Sequence, residues 1–212
     1  MTRNSAPRHA IDISEEDGVR YLHFGSDWVQ GAMRIARPWS LELDYTREMM
    51  AGLLFQADPQ WPKEILLIGL GAGSLAKFIY RNLPESRITV VEINPQVEFA
   101  AHQFFKLPDD PRRLHVEIGC GADFMLGGCK HYDMILVDGF DPKARMGALD
   151  SEPFFLASRA RLSENGLFGI NLLGREKGYA DAVARIRSAF DGRVAVFPSC
   201  DSGNTIAFAS AG

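Results

Sequence analysis

Three glycines at alternate positions, Gly69, Gly71 and Gly73, stand between two short apolar runs, and the second run ends in an acid, Glu92. A later apolar run ends in Asp138, with Asp141 three residues on, and Asp123 follows Cys120, Gly121 and Ala122. Residues without a Cβ let the backbone turn tightly and let a ligand lie against main-chain N–H groups. An acid at the tip of a neighbouring strand can accept both hydroxyls of a ribose. A carboxylate at a further strand tip can hold an ammonium and take its proton. These types in this order describe a nucleotide on one side of a crevice and a proton acceptor on the other.

The elements around these residues have to deliver them to one place. Residues 64–94 read as strand, glycine loop, helix (through about Asn82), strand and acid, the first half of a nucleotide-binding α/β domain. The 19 residues from Gly73 to Glu92 match the spacing of roughly 20 expected for such a unit. Further strands are expected at 114–118, 134–137, 167–172, 194–197 and 205–209, and helices at 96–104, 121–126, 153–162 and 178–190. The strands are apolar without alternation, as in a parallel sheet covered on both faces. The last two are joined by the turn-rich 198–204, so the final strand should return antiparallel. Before this domain, 19–24 and 28–33 alternate enough for a small hairpin with Gly25, Ser26 and Asp27 as its turn. A helix is expected over 43–55, its Met49 and Met50 packing in the core. The expected organisation is a flexible, polar 1–17, a hairpin and helix over 18–60, and a nucleotide-binding domain over 61–212.

Composition narrows the function classes. A formal charge of −4, a pI near 5.7 and scattered Arg and Lys argue against a polyanionic partner, so no nucleic acid is expected. No window is apolar enough for a signal peptide or a membrane span, so no membrane partner is expected. Cys120, Cys129 and Cys200 are odd in number and lack metal or C-x-x-C spacing, which fits a reducing cytoplasm. The five histidines are dispersed, and no metal is expected.

The glycine spacing bears on the nucleotide. A dinucleotide loop places a third glycine or alanine at position 74; this chain has Ser74, with glycine at 73. The G-x-G-x-G form favours a sulfonium nucleotide such as S-adenosylmethionine over a dinucleotide. With the antiparallel last strand, the fold class is a Rossmann-like doubly wound sheet of the S-adenosylmethionine-dependent methyltransferase type.

The glycine loop, Val91-Glu92-Ile93-Asn94, Gly121-Ala122-Asp123-Phe124 and Val137-Asp138-Gly139-Phe140-Asp141-Pro142 together resemble the polyamine aminopropyltransferases, the spermidine synthase family. The resemblance covers roughly 48–173, with a vaguer match at Gln30 and Glu48-Met49. It implies decarboxylated S-adenosylmethionine as co-substrate, a small amine such as putrescine as acceptor, and a second copy of the chain as an expected partner. Asp138 then matches the proton-accepting Asp and Asp141 the second acid of that motif. Gly69, Gly71, Gly73, Glu92, Cys120, Gly121, Ala122 and Asp123 match the nucleotide positions, and Gln30 and Tyr45 fall on the acceptor side.

Three positions depart from the family pattern. Its loop carries an Asp for the transferred group's amine where this chain has Ala72. Its third motif has an adenine-binding Asp where this chain has Cys120. Its Tyr-His or Tyr-Gln pair becomes Thr46-Arg47, with Tyr45 one residue away. A lost contact to a cation costs about 1.5–3 kcal/mol, so two or three such losses lower affinity on the order of a hundredfold or more. Three readings stay open: an aminopropyltransferase-like enzyme with poor use of putrescine, an S-adenosylmethionine-dependent methyltransferase of a small molecule, and a degenerate binding or assembly protein.

Overall fold

The computed structural model describes residues 10–25, 28–141, 143–175, 177–200 and 203–212. A sheet of seven strands forms the body, in the order β6-β5-β4-β7-β8-β10-β9. These strands are β4 (Glu64–Ile68), β5 (Arg87–Glu92), β6 (Leu114–Ile118), β7 (Tyr132–Val137), β8 (Leu162–Leu173), β9 (Val194–Val196) and β10 (Asn204–Ser210). β6, β5, β4, β7 and β8 pair in parallel. β10 runs antiparallel between β8 and β9, as the turn at 198–204 foretold. Chain order runs outward from β4 in one direction and resumes at β7 in the other, so the loops after β4 and β7 part and leave a crevice.

Successive side chains of β4 explain its unbroken apolar run. Ile65 and Leu67 enter one core layer with residues of α1 (Asp44–Met50), α2 (Ser74–Asn82) and α3 (Pro95–Phe105). Leu66 and Ile68 enter the other with residues of α4 (Gly121–Gly127), α5 (Glu152–Ala160) and α6 (Tyr179–Ala189). A strand buried on both faces carries no period-2 signal.

The N-terminal part differs from expectation in three respects. The expected hairpin is two strands of a three-stranded antiparallel sheet: β1 (Asp12–Glu16), β2 (Val19–His23) and β3 (Val29–Arg34). β1 lies within the segment expected to be flexible. Its polar sequence, DISEE, gave no strand signal because four of its five side chains are exposed and its order comes from the backbone ladder to β2. Of the expected turn, Ser26 and Asp27 lie outside the described residues, as do residues 1–9 of the polar N-terminus. The helix expected over 43–55 stops at Met50 and tightens into a 3-10 turn over Ala51–Phe55. Gly52 lies so close to the sheet that a Cβ there would stand 2.7 Å from the Phe208 ring and 2.9 Å from Leu167. Met49 and Met50 are in the core as expected, whereas the tightened turn turns Leu54 out to solvent.

Candidate functional site

A pocket of about 540 Å³ opens at the carboxyl ends of β4, β5, β6, β7 and β8, with β3 across its mouth. Ten of the twelve residues singled out from the sequence line it: Gln30, Tyr45, Gly69, Gly71, Glu92, Cys120, Gly121, Ala122, Asp138 and Asp141. Gly73 and Asp123 do not.

The glycine loop is held in place by its own geometry and by Glu92. Gly69, Gly71 and Gly73 all have left-handed φ (95°, 51° and 68°). At Gly69 the requirement is also one of space, since a Cβ would fall 2.1 Å from the carbonyl oxygen of Asp138. Gly73 stands behind the pocket as the N-cap of α2. Glu92 accepts from the Leu70 N–H through Oε2 (2.9 Å) and from the Asn94 N–H through Oε1 (2.9 Å). It thus ties the loop after β4 to the loop after β5. Burial pushes its carboxyl above the usual range, against the lowering effect of those backbone donors. The carboxylate has four acceptor sites, and beside the N–H groups of Leu70, Asn94 and Ile93 one is left for a ligand hydroxyl.

At the far side, Asp138 ends β7, its N–H donating to the Ile68 carbonyl at 2.8 Å. Its carboxylate has two neutral donors: the Tyr45 hydroxyl to Oδ2 at 3.0 Å and the Asn171 amide to Oδ1 at 2.9 Å. The Asn171 oxygen accepts in turn from Asn204 at 2.9 Å. Burial raises the Asp138 carboxyl above its ordinary value, and the two hydrogen bonds only partly offset this. The Tyr45 phenol is pushed well above its own ordinary value, first by burial and then by the charge of Asp138. This group is a carboxylate with raised proton affinity, braced by side chains that carry no charge.

Asp141 is arranged otherwise. Its Oδ2 accepts from Nε and Nη2 of Arg145 (2.9 and 2.7 Å), and its Oδ1 accepts from the N–H groups of Lys143 and Arg145 (2.8 and 2.9 Å). Burial pushes its carboxyl up, but these bonds outweigh burial and hold it below the ordinary value. It pins its own loop shut, so the catalytic part expected of Asp141 has no geometry to support it. Pro142, the last residue of the same motif, lies outside the described residues.

Asp123 points to solvent in the first turn of α4, where a carboxylate suits the helix dipole. Cys120, the N-cap of α4, is partly buried against the core. Arg47 is also directed away from the pocket, held by Asp44 and by the carbonyls of Leu41 and Glu42. Ala72 is 2% exposed and packs with Leu22, Met33, Ala100 and Phe105. An acid there would be buried beneath the small sheet.

Sequence reasoning missed Asn171, although it is the one polar side chain in the run LFGINLL (167–173). It also missed Ile93, Leu149, Phe140 and Leu173 as apolar side chains lining the pocket. Apolar lining is indistinguishable from core in a single sequence.

With this geometry in view, comparison with known proteins places the chain in a methyltransferase-like fold and then in one family within it. A human methyltransferase-like protein 13, solved in complex with SAH, superposes with a TM-score of 0.72 at 29% identity, over 79% of this chain and 82% of that one. A probable spermidine synthase from Corynebacterium glutamicum superposes with a TM-score of 0.82 over 94% of this chain and 76% of that one; at 20% identity it shows the fold alone. The spermine/spermidine synthase domain model matches residues 43–172. A polyamine aminopropyltransferase of Neisseria meningitidis serogroup B is 41% identical over 199 residues, 94% of this chain and 75% of that protein. The chain belongs to the spermine/spermidine synthase domain family. No helix among the described residues is long and apolar enough to cross a membrane.

Proposed function

We propose that this protein transfers an alkyl group of the aminopropyl type from a sulfonium nucleotide, S-adenosylmethionine or its decarboxylated form, to the nitrogen of a small amine. The observation that carries this reading is the Asp138 carboxylate, raised in proton affinity by burial and held by Tyr45 and Asn171 in the same pocket as the glycine loop and Glu92. The residues fit the nucleotide: Glu92 keeps an acceptor site for the ribose, and Gly69 and Gly71 leave the loop backbone bare on the pocket side. The acceptor arrives as an ammonium, and Asp138 takes its proton. The freed nitrogen lone pair then bonds to the carbon beside the sulfonium, the carbon–sulfur bond breaks, and its electron pair goes to sulfur, which leaves as a neutral thioether. Tyr45 and Asn171 keep the carboxylate turned toward the nitrogen.

The test is Asp138→Asn, which keeps size and removes proton acceptance. Transfer should fall by roughly 10²–10⁴-fold while nucleotide affinity changes little. An unaltered rate would end the assignment. A second reading, methyl transfer, is favoured by one observation: Ala72 is buried under the small sheet, so the loop supplies no acid for an aminopropyl ammonium and nothing to repel the α-carboxylate of S-adenosylmethionine. Calorimetry with the two nucleotides separates these readings.

A further inference from the structure

An ionised carboxylate can only accept, so the part of Asn171 that faces Asp138 has to be its NH2, at 2.9 Å from Oδ1. The amide oxygen then points the other way, and Asn204 meets it with its own NH2 at 2.9 Å. Two amides thus stand in line behind the carboxylate, each donating toward it. They come from the paired strands β8 and β10, and both line the pocket. Asn171 is 1% exposed, so its bonds are made to protein. The main chain of Asn204 is fixed as well, its carbonyl accepting from the Cys200 N–H at 2.9 Å.

We infer that Asn204 is a positioning residue for the transfer: by donating to the Asn171 oxygen it keeps the Asn171 NH2 on Asp138 and so holds the base in its charged, proton-accepting form. This rests on the transferase reading above. The direction of the line matters because an amide has one donor end and one acceptor end. With the NH2 on Asp138, the charged carboxylate is favoured. Turned over, Asn171 would present its oxygen, to which only a protonated Asp138 can bond, and would set its own NH2 against that of Asn204. Asn204 therefore denies the protonated base an extra bond, which lets it give up the captured proton between turnovers.

Among the described residues, the ionisable groups that share the pocket with Asp138 are Tyr45 from α1, Glu92 from β5, and Asp141 and Arg145 from the loop after β7. Behind Asn204 stand the Cys200 thiol, 3.4 Å from its carbonyl, and Arg175 beside Gly203. Asp27 and Asp201 lie outside the described residues. Every protein compared in the test keeps all of these side chains.

The Asp138 carboxyl carbon is followed by NMR across pH, with Asp138→Asn to assign its signal. Asn204→Leu removes the donor and should move the titration midpoint to higher pH. Asn204→Asp, which when ionised offers acceptors alone and so turns Asn171 over, should move it further. In Asn171→Leu protein, which lacks the amide that carries the effect, Asn204→Leu should leave the midpoint where it is. A midpoint unmoved in both Asn204 variants, even with stability lowered, overturns this inference and leaves the transferase reading standing. So does an equal shift with and without Asn171. An unaltered transfer rate in Asp138→Asn brings down the transferase reading, and with it any part for Asn204 in the reaction.

Discussion

Asp138 and Tyr45 form a pair whose titration can be followed. The base must be ionised to accept a proton, so the acid limb of kcat/KM against pH should lie above the ordinary Asp value, because burial raises this carboxyl. The Tyr45 hydrogen bond favours the charged form and works against that rise. Tyr45→Phe removes it and should move the limb to higher pH while the rate on the alkaline plateau changes less; a limb that stays put would show that the hydroxyl does not tune the base. At Glu92 the measurement is affinity. Glu92→Ala removes ribose bonds to a charged acceptor and should weaken methylthioadenosine by about 1.5–3 kcal/mol for each bond lost. The glycine loop should also loosen, since the Leu70 N–H loses its partner. Equal affinity in calorimetry would place the ribose elsewhere.

Among the elements, α2 and α3 are joined by a buried cation. Lys77, 2% exposed on α2, donates through Nζ to the Phe105 carbonyl at the end of α3 (2.8 Å). Burial, reinforced by Lys106, brings its pKa down from 10.5 to about 8. Between about pH 8 and 10.5 the unfolded chain binds the proton that the fold has released, so stability should rise with pH across that window. Urea unfolding at both ends of the window measures the rise, and in Lys77→Met it should vanish. What the sequence disclosed follows a similar physical divide. Elements that carry their own signal were legible: the apolar runs of β4 and β7, the glycine loop, and the acids at the ends of β5 and β7. β1 was not, because its order comes from a partner strand. The end of α1 was not, because the approach of Gly52 to Phe208 is a tertiary contact. At the site, Asp138 and Glu92 could be read from their places at strand tips. The capture of Asp141 by Arg145 depends on the path of a loop, which residue types do not encode.

On the scale of the whole molecule, the three-stranded sheet is fastened to the glycine loop itself. Ala72 sits in a cluster with Leu22 of β2 and Met33 of β3, and its Cβ stands 2.7 Å from where a side chain on Gly31 would begin. Gln30 from the same sheet lines the pocket, and its carbonyl lies 3.0 Å from where a Gly71 Cβ would be. So small a sheet, with five exposed or half-exposed side chains in β1, is the kind of unit that opens locally before the body unfolds. Each opening uncovers the loop against which a nucleotide would lie, so occupancy and opening exclude each other. A bound nucleoside should therefore slow amide hydrogen exchange along β2, a strand whose backbone it never meets, and Gly31→Ala should quicken exchange there and hasten nucleoside release together. The small sheet would then be the door by which the ligand comes and goes, latched by Ala72, Leu22 and Met33 and by the Ser74 hydroxyl on the Ala32 carbonyl.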